Sequence, residues 1–351
     1  MAGEETFILQ ALDGSQGGKG IIEQLDFGCV LDISARHGVK PLLHAKTKKV
    51  AGLPGFFVKD LEESYHENLS RNMFLSSQLR KIVQALNSKN ISFMVFKGVL
   101  LAEEYYGDVG LRPMADLDIL VREKERAKTG EILGSLGYFI PTGYDSDFSG
   151  KYRSHIPYVS DHRIRHSVEV HWALTQKVRF SLDMDGIWTG SETYSLDGIQ
   201  AKSMSRERLL SYLCVHFTHH LHYPEGSFRP KLIWLYDIHL LVGQGSVDWE
   251  GLVETAKLER TRIALYAALY LARRFLGTNV PENVLDGLKP GFIIRGLLHF
   301  LLDDSSLYFR RYPKSKIACT LLSELLIERM LDRFAFTVKF ILREIEYLFR
   351  H

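Results

Sequence analysis

Ile91-Ser92-Phe93-Met94-Val95-Phe96-Lys97-Gly98, followed after a loop by Arg112 and by Asp116-Leu117-Asp118-Ile119-Leu120-Val121, is the stretch that decides how this chain is read. Ile91 to Phe96 is apolar and rich in strand formers. Lys97-Gly98 closes it, and Val99 to Tyr106 has the pattern of a short helix. Asp116 to Val121 is a second strand in which acids and apolar residues alternate at the start. Residues i and i+2 of a strand share a face, so Asp116 and Asp118 present their carboxylates together while Leu117 and Ile119 turn to the core. Two adjacent carboxylates repel unless a cation lies between them. Mg²⁺, which takes oxygen ligands from carboxylates and phosphates, suits such a pair.

Further along, Ser167-Val168-Glu169-Val170-His171-Trp172 alternates in the same way. Val168 and Val170 point inward, and Glu169 and His171 share the opposite face. If this strand neighbours the first acidic one, Glu169 completes a triad with Asp116 and Asp118. Gly98 ends a strand and opens a helix, whose free N–H groups offer a seat for phosphate. Lys97 adds a point charge beside it, and Arg112 a bidentate donor. A DxD alone is most often a solvated turn or strand edge. The ordered strand, Gly, helix, acidic strand and later third acid point instead to nucleotidyl transfer.

The flanks are helical. Ile21 to His37 and Val58 to Leu86 carry apolar residues at helical spacing, with Gly38 and Ser88-Lys89-Asn90 as stops. Arg122 to Leu136 is a helix closed by Gly137, and Ile156–Val159 with Ile164–Trp172 form a hairpin turning at Asp161-His162-Arg163. After Ser205 come helices near Leu209–His222, Leu232–Val242, Leu252–Leu258, Arg262–Leu276, Ile293–Leu302 and within Ile317–Phe349. The expected fold is α+β: a small mixed β-sheet nucleotidyltransferase core over residues 91–204, an N-terminal helical segment over 1–90, and a C-terminal α-helical domain over 205–351.

Val95-Phe96-Lys97-Gly98-Val99-Leu100-Leu101, Tyr105-Tyr106 and Leu111-Arg112-Pro113-Met114-Ala115-Asp116-Leu117-Asp118-Ile119-Leu120-Val121 resemble an uncharacterised bacterial nucleotidyltransferase family of the DNA polymerase beta-like superfamily. Leu136-Gly137-Tyr138, Val168-Glu169-Val170-His171-Trp172, Leu213-Cys214-Val215-His216 with His220, Leu232, Trp234, Asp237-Ile238, Leu240-Leu241 and Asp248-Trp249 extend the similarity over roughly residues 27–285. The resemblance implies a helical domain closing a cleft over the sheet, and divalent metal on Asp116, Asp118 and Glu169. In one respect the chain departs from the wider superfamily: Val99 follows Gly98 where many members carry Ser, whose hydroxyl contacts phosphate. Lys97 is expected to substitute.

Metal-dependent transfer of a nucleoside monophosphate from an NTP such as ATP to an acceptor hydroxyl on a small molecule or a protein is therefore expected. Mg²⁺ or Mn²⁺ sits on Asp116, Asp118 and Glu169, and the phosphates on Lys97, Gly98 and Arg112. His171, His216, His220 and Asp237 are expected along the cleft. His216 and His220 lie at i, i+4, and with Asp237 they form an alternative metal set, but no cysteine pair or HExxH supports zinc. A non-catalytic nucleotide-binding regulatory or interaction module is the alternative function, and a metal-dependent phosphohydrolase using the same acids is a third. Gly14-Ser15-Gln16-Gly17-Gly18-Lys19-Gly20 fails the P-loop pattern, with Asp13 for the first Gly and Gly20 for Ser/Thr. Lys46, Lys48 and Lys49 read as a surface loop.

Composition fits that picture. The 351 residues are 46% hydrophobic and 25% charged, as in an ordinary folded protein. The 44 basic and 42 acidic residues leave a formal charge of +2, which argues against general attraction to a nucleic-acid backbone. Cys29, Cys214 and Cys319 form no CxxC and no disulfide framework, which suggests a reducing compartment. The acidic start, Met1-Ala2-Gly3-Glu4-Glu5, lacks the basic opening of a secretory leader, and no apolar run reaches membrane-spanning length. The expected location is the cytoplasm.

Overall fold

The computed structural model describes residues 3–15, 22–144, 154–161, 164–175, 180–222, 230–302, 324–328, 332 and 338. In chain order its elements are α1 (Gly3–Asp13), α2 (Phe27–Arg36), α3 (Lys40–Thr47), α4 (Gly55–Ser88), β1 (Phe93–Val95), α5 (Gly98–Glu104), β2 (Asp116–Val121), α6 (Arg126–Ser135), β3 (Tyr138–Phe139), β4 (His155–Ser160), β5 (Ser167–His171), α7 (Met184–Thr189), β6 (Glu192–Leu196) and β7 (Ile199–Ser203). Helices α8 (Arg206–His219), α9 (Leu232–Gly243), α10 (Trp249–Leu258), α11 (Arg262–Leu276), α12 (Glu282–Leu288) and α13 (Phe292–Leu302) follow. The fold is α+β, a small mixed sheet among many helices. No helix among the described residues is long and apolar enough to cross a membrane.

The main sheet has strand order β1-β2-β5-β4-β3. Only β2 and β5 run parallel among its pairs; the others are antiparallel. The parallel register sets Asp118 beside Glu169 and Ile119 beside Val170. On one face Leu117, Ile119, Val168, Val170, Ile156 and Tyr158 are buried. Tyr158 there packs against Gly130 of α6, where a Cβ would come within 2.6 Å of the phenol oxygen. The other face carries Asp116, Asp118, Glu169, His171 and, from β4, His155.

Several sequence expectations shift. The first long helix does not span Ile21 to His37; α2 begins at Phe27, because the Asp26 side chain accepts the Cys29 N–H and caps it. Lys46 belongs to the last turn of α3, and Lys48 is that helix's C-cap residue. The β6–β7 hairpin was missed although Asp197-Gly198, both at positive φ, is a strong two-residue hairpin signal. The 3₁₀ turn Glu123–Glu125 precedes α6 where one continuous helix was expected. Residues 16–20, the His162-Arg163 turn and most of Ile317–Phe349 lie outside the described residues.

Candidate active site

The loop that delivers the acidic strand is held by side chains of α4. Tyr65 Oη donates to Asp108 Oδ2 at 2.9 Å, Asn68 Nδ2 to the Gly110 carbonyl at 2.7 Å, and Asn72 Nδ2 to the Arg112 carbonyl at 2.8 Å. Arg71 donates to the carbonyls of Met114 and Ala115 at 3.2 and 3.1 Å. Buried asparagines in a helix would cost stability unless satisfied. Here they replace the backbone partners that a loop lacks. Gly110 permits the close approach, since a Cβ there would meet the Tyr65 ring at 2.6 Å. The loop therefore enters β2 with Asp116 in a defined place.

On the polar face of the sheet the charged groups touch one another in sequence. Lys97 Nζ lies 2.8 Å from Asp118 Oδ1. His171 Nε2 lies 2.9 Å from the same oxygen and 3.3 Å from Glu169 Oε2. His155 Nε2 is 3.7 Å from Glu169 Oε1. The Phe96 ring stands edge-on to His171 at 5.1 Å and to Tyr212 of α8 at 5.4 Å, forming the floor. Lys97 reaches this position from a strained backbone, φ 56° and ψ −145°, a region that favours glycine. The side chain thus turns back over the sheet and does not extend along the helix start.

Burial and mutual charge set the protonation pattern. Burial, then the neighbouring Asp118 charge, push the Asp116 carboxyl up to about 6. Burial also works to raise Asp118, but Lys97 and the His171 hydrogen bond outweigh it and hold that carboxyl below the usual range. Burial works to raise Glu169, but the hydrogen bond with His171 together with the positive influence of His155 and His171 leaves that carboxyl lowered. His171 is raised: burial opposes its charge, and the carboxylates of Asp118 and Glu169 override that. Burial pushes His155 down to about 4, so it is neutral near pH 7. Three carboxylates, Asp116, Asp118 and Glu169, share the polar face with Lys97 and His171, and oxygen donors are what Mg²⁺ or Mn²⁺ takes, but among the described residues their oxygens do not converge within 4.8 Å of one another as the ligand atoms of His155, Glu169 and His171 do.

Asp116, Asp118, Glu169, His171 and Lys97 are brought together as the sequence suggested, and Gly98 lies beside them with φ 25°. Arg112 is not. Its Nε and Nη2 donate to Asp237 Oδ1 and Oδ2, both at 2.8 Å, and Tyr106 Oη donates to Asp237 Oδ1 at 2.7 Å. Asp237 is 1% exposed, and both of its oxygens are taken. The fork that was expected to hold phosphate instead ties the loop before β2 to α9, and Asp237 is not free to join His216 and His220 at a metal. Those histidines pack with Trp234, at ring distances of 5.0 and 4.6 Å, and burial drives His216 well below its ordinary range. His155 and Tyr212 were missed. The alternation of β4, with Ile156 and Tyr158 inward, was the signal that would have placed His155 beside Glu169.

Among solved structures, the chain is similar to the antibiotic-resistance factor ANT(2'')-Ia, described with substrate-regulated conformation dynamics, at 14% identity and TM-score 0.37, covering 58% of this chain and 98% of that one. It is also similar to an antigenic nucleotidyltransferase-like protein from Paracoccidioides brasiliensis, at 17% identity and TM-score 0.34, covering 58% and 93%. None of the curated proteins compared matches the chain. The model of a family described as uncharacterised nucleotidyltransferase matches residues 23–277, a span that holds every site residue above. With that match over more than half its length, the chain belongs to this nucleotidyltransferase family.

Proposed function

We propose that the enzyme transfers a nucleoside monophosphate from an NTP to a hydroxyl of a small molecule or a protein, with Mg²⁺ or Mn²⁺ on Asp116, Asp118 and Glu169. The observation that supports this most is the meeting of Asp118 and Glu169 across the parallel β2–β5 pair, with Asp116 two residues away on the same face. A bound ion supplies polarisation of the phosphorus and offsets charge on the leaving group. The chain's own groups do the rest. His171 and Lys97 fix Asp118 from two sides, so its free oxygen has one direction. Glu169, held by His171, serves either as the third ligand or as the base that takes the proton of the acceptor hydroxyl as that oxygen attacks the α-phosphorus and pyrophosphate leaves. With a cation on Asp118, that carboxylate holds Lys97 less tightly, and in this reading the Lys97 ammonium and the Gly98 N–H serve the donor phosphates.

In this reading residues 91–204 carry the chemistry and the helical part that begins at Arg206 borders the groove, with Tyr212, His216 and His220 on its wall. Arg112 and Asp237 join the two parts and do not bind nucleotide. Incubation with each of the four NTPs, Mg²⁺ and a panel of hydroxylated acceptors tests the proposal. Pyrophosphate release that depends on acceptor supports it. Release of orthophosphate alone indicates a phosphohydrolase, and no turnover with any donor overturns the reading.

A further inference from the structure

Beside the carboxylate pair the sheet builds a second donor set. His155 and His171 are register partners across β4 and β5, and Glu169 is on the same face two residues before His171. The ligand atoms of His155, Glu169 and His171 all lie within 4.8 Å of one another. Two ligands bound at about 2.1 Å around one ion stand roughly 3–3.5 Å apart in octahedral or tetrahedral geometry. His171 Nε2 is 3.3 Å from Glu169 Oε2 and His155 Nε2 is 3.7 Å from Glu169 Oε1, so one ion can meet both imidazoles and the carboxylate through either oxygen after side-chain adjustments within the 4.8 Å that bounds the group. The three sit on adjacent strands, not on loops, so the spacing is fixed by the sheet.

We propose that His155, Glu169 and His171 form a binding site for a divalent first-row transition ion, distinct in donor chemistry from the all-oxygen set at Asp116 and Asp118. Imidazole nitrogen suits Zn²⁺, Fe²⁺ or Ni²⁺, whereas Mg²⁺ and Mn²⁺ favour oxygen. The site is open on one side: the side chains of His155 and Glu169 are 27% and 25% exposed, and that of His171 forms the base at 7%. Water completes the coordination from the open side. In the metal-free chain His171 Nε2 faces two carboxylate oxygens, Asp118 Oδ1 and Glu169 Oε2, and so carries a hydrogen. The ion takes that hydrogen's place, and the proton passes to solvent. Asp118 then remains within reach of the ion or of its water, and Glu169 borders both donor sets.

The test uses the full chain without nucleotide, so that a failure of nucleotidyl transfer and a failure of this site are read separately. Zn²⁺ and Mg²⁺ are titrated separately by calorimetry into the wild type, His155→Ala and His171→Ala, with folding checked by circular dichroism. One Zn²⁺ per chain is expected, weakened at least about tenfold by either substitution, the scale on which lost metal partners act. Mg²⁺ binding should be unchanged in His155→Ala, the more exposed position and the variant that keeps the test informative if His171→Ala does not fold. Zn²⁺ binding of equal strength in wild type and His155→Ala overturns the proposal, as does a folded wild type that binds no Zn²⁺.

Discussion

Asp237→Asn is the substitution whose cost the structure defines most closely. It removes the charge that faces the Arg112 guanidinium while keeping nearly the same shape. The two N–H···O contacts of 2.8 Å place the charge centres about 4 Å apart, worth about 4 kcal/mol at an effective dielectric constant near 20. Desolvation offsets much of this in the intact pair, but the single variant strands a buried guanidinium, and breaking such pairs costs about 3–5 kcal/mol. Arg112→Met should cost a similar amount by stranding Asp237. The double variant, Arg112→Met with Asp237→Asn, should cost clearly less than the sum, because no buried charge is left. Urea unfolding followed by far-ultraviolet circular dichroism and tryptophan fluorescence gives the four free energies of the cycle. A single-variant loss below about 1 kcal/mol, or strict additivity, would refute the reasoning, since it would mean that the pair is solvated. Because Arg112 lies in the loop before β2 and Asp237 in α9, both probes should report one transition in the parent.

The metal-free protein should show a pH-dependent strain at Asp116. Its carboxyl is raised to about 6 when folded, against about 3.9 unfolded, so the penalty is absent below about pH 4, grows between about 4 and 6, and is complete above that. In chelator, Asp116→Asn should therefore be more stable than the parent by about 3 kcal/mol at neutral pH, and the gain should vanish near pH 4; a pH-independent difference counts against this. Asp118→Asn should abolish transfer, since it removes the negative charge shared by Lys97 and His171, and wild-type turnover would sink the proposed function. Lys97→Ala should strengthen metal binding in the absence of nucleotide by removing a competing cation, yet weaken NTP binding by about one to two decades, and wild-type values for both would take Lys97 out of the site. Nucleotide should bind more tightly with Mg²⁺ than without it, as phosphate oxygens complete the octahedron, and calorimetry giving equal affinities would contradict a metal on the three acids.

What could be read in the sequence was whatever alternation and neighbouring residues encode. Asp116 to Val121 shows its strand and its two faces directly, and so does the Val168–Val170 alternation around Glu169. Neither passage states that the two strands pair, nor that they pair in parallel; this depends on packing over distant residues. The role of Arg112 was lost for the same reason. A lone arginine before an acidic strand looks like a phosphate ligand, and only the arrival of α9 from far along the chain supplies Asp237. Asn68 and Asn72 stand in a helix with ordinary amphipathic spacing, and nothing local reveals that they hold a loop. Lys97 shows the limit in backbone terms: no composition rule places a lysine at positive φ, yet that angle directs its ammonium to Asp118.

The parallel β2–β5 pair also determines which lesions the gene can tolerate. Asp118 and Glu169 meet through the register of two strands, while α6, β3 and β4 lie between them in the chain. Residues gained or lost in the connections between those elements leave the meeting point where it is, provided the strands still align. A single residue deleted within Ser167–His171 does the opposite: the two-residue period turns Glu169 and His171 into the apolar layer and brings valines onto the charged face. The protein is thus buffered against changes of length along most of the intervening chain and exposed to them at five consecutive codons.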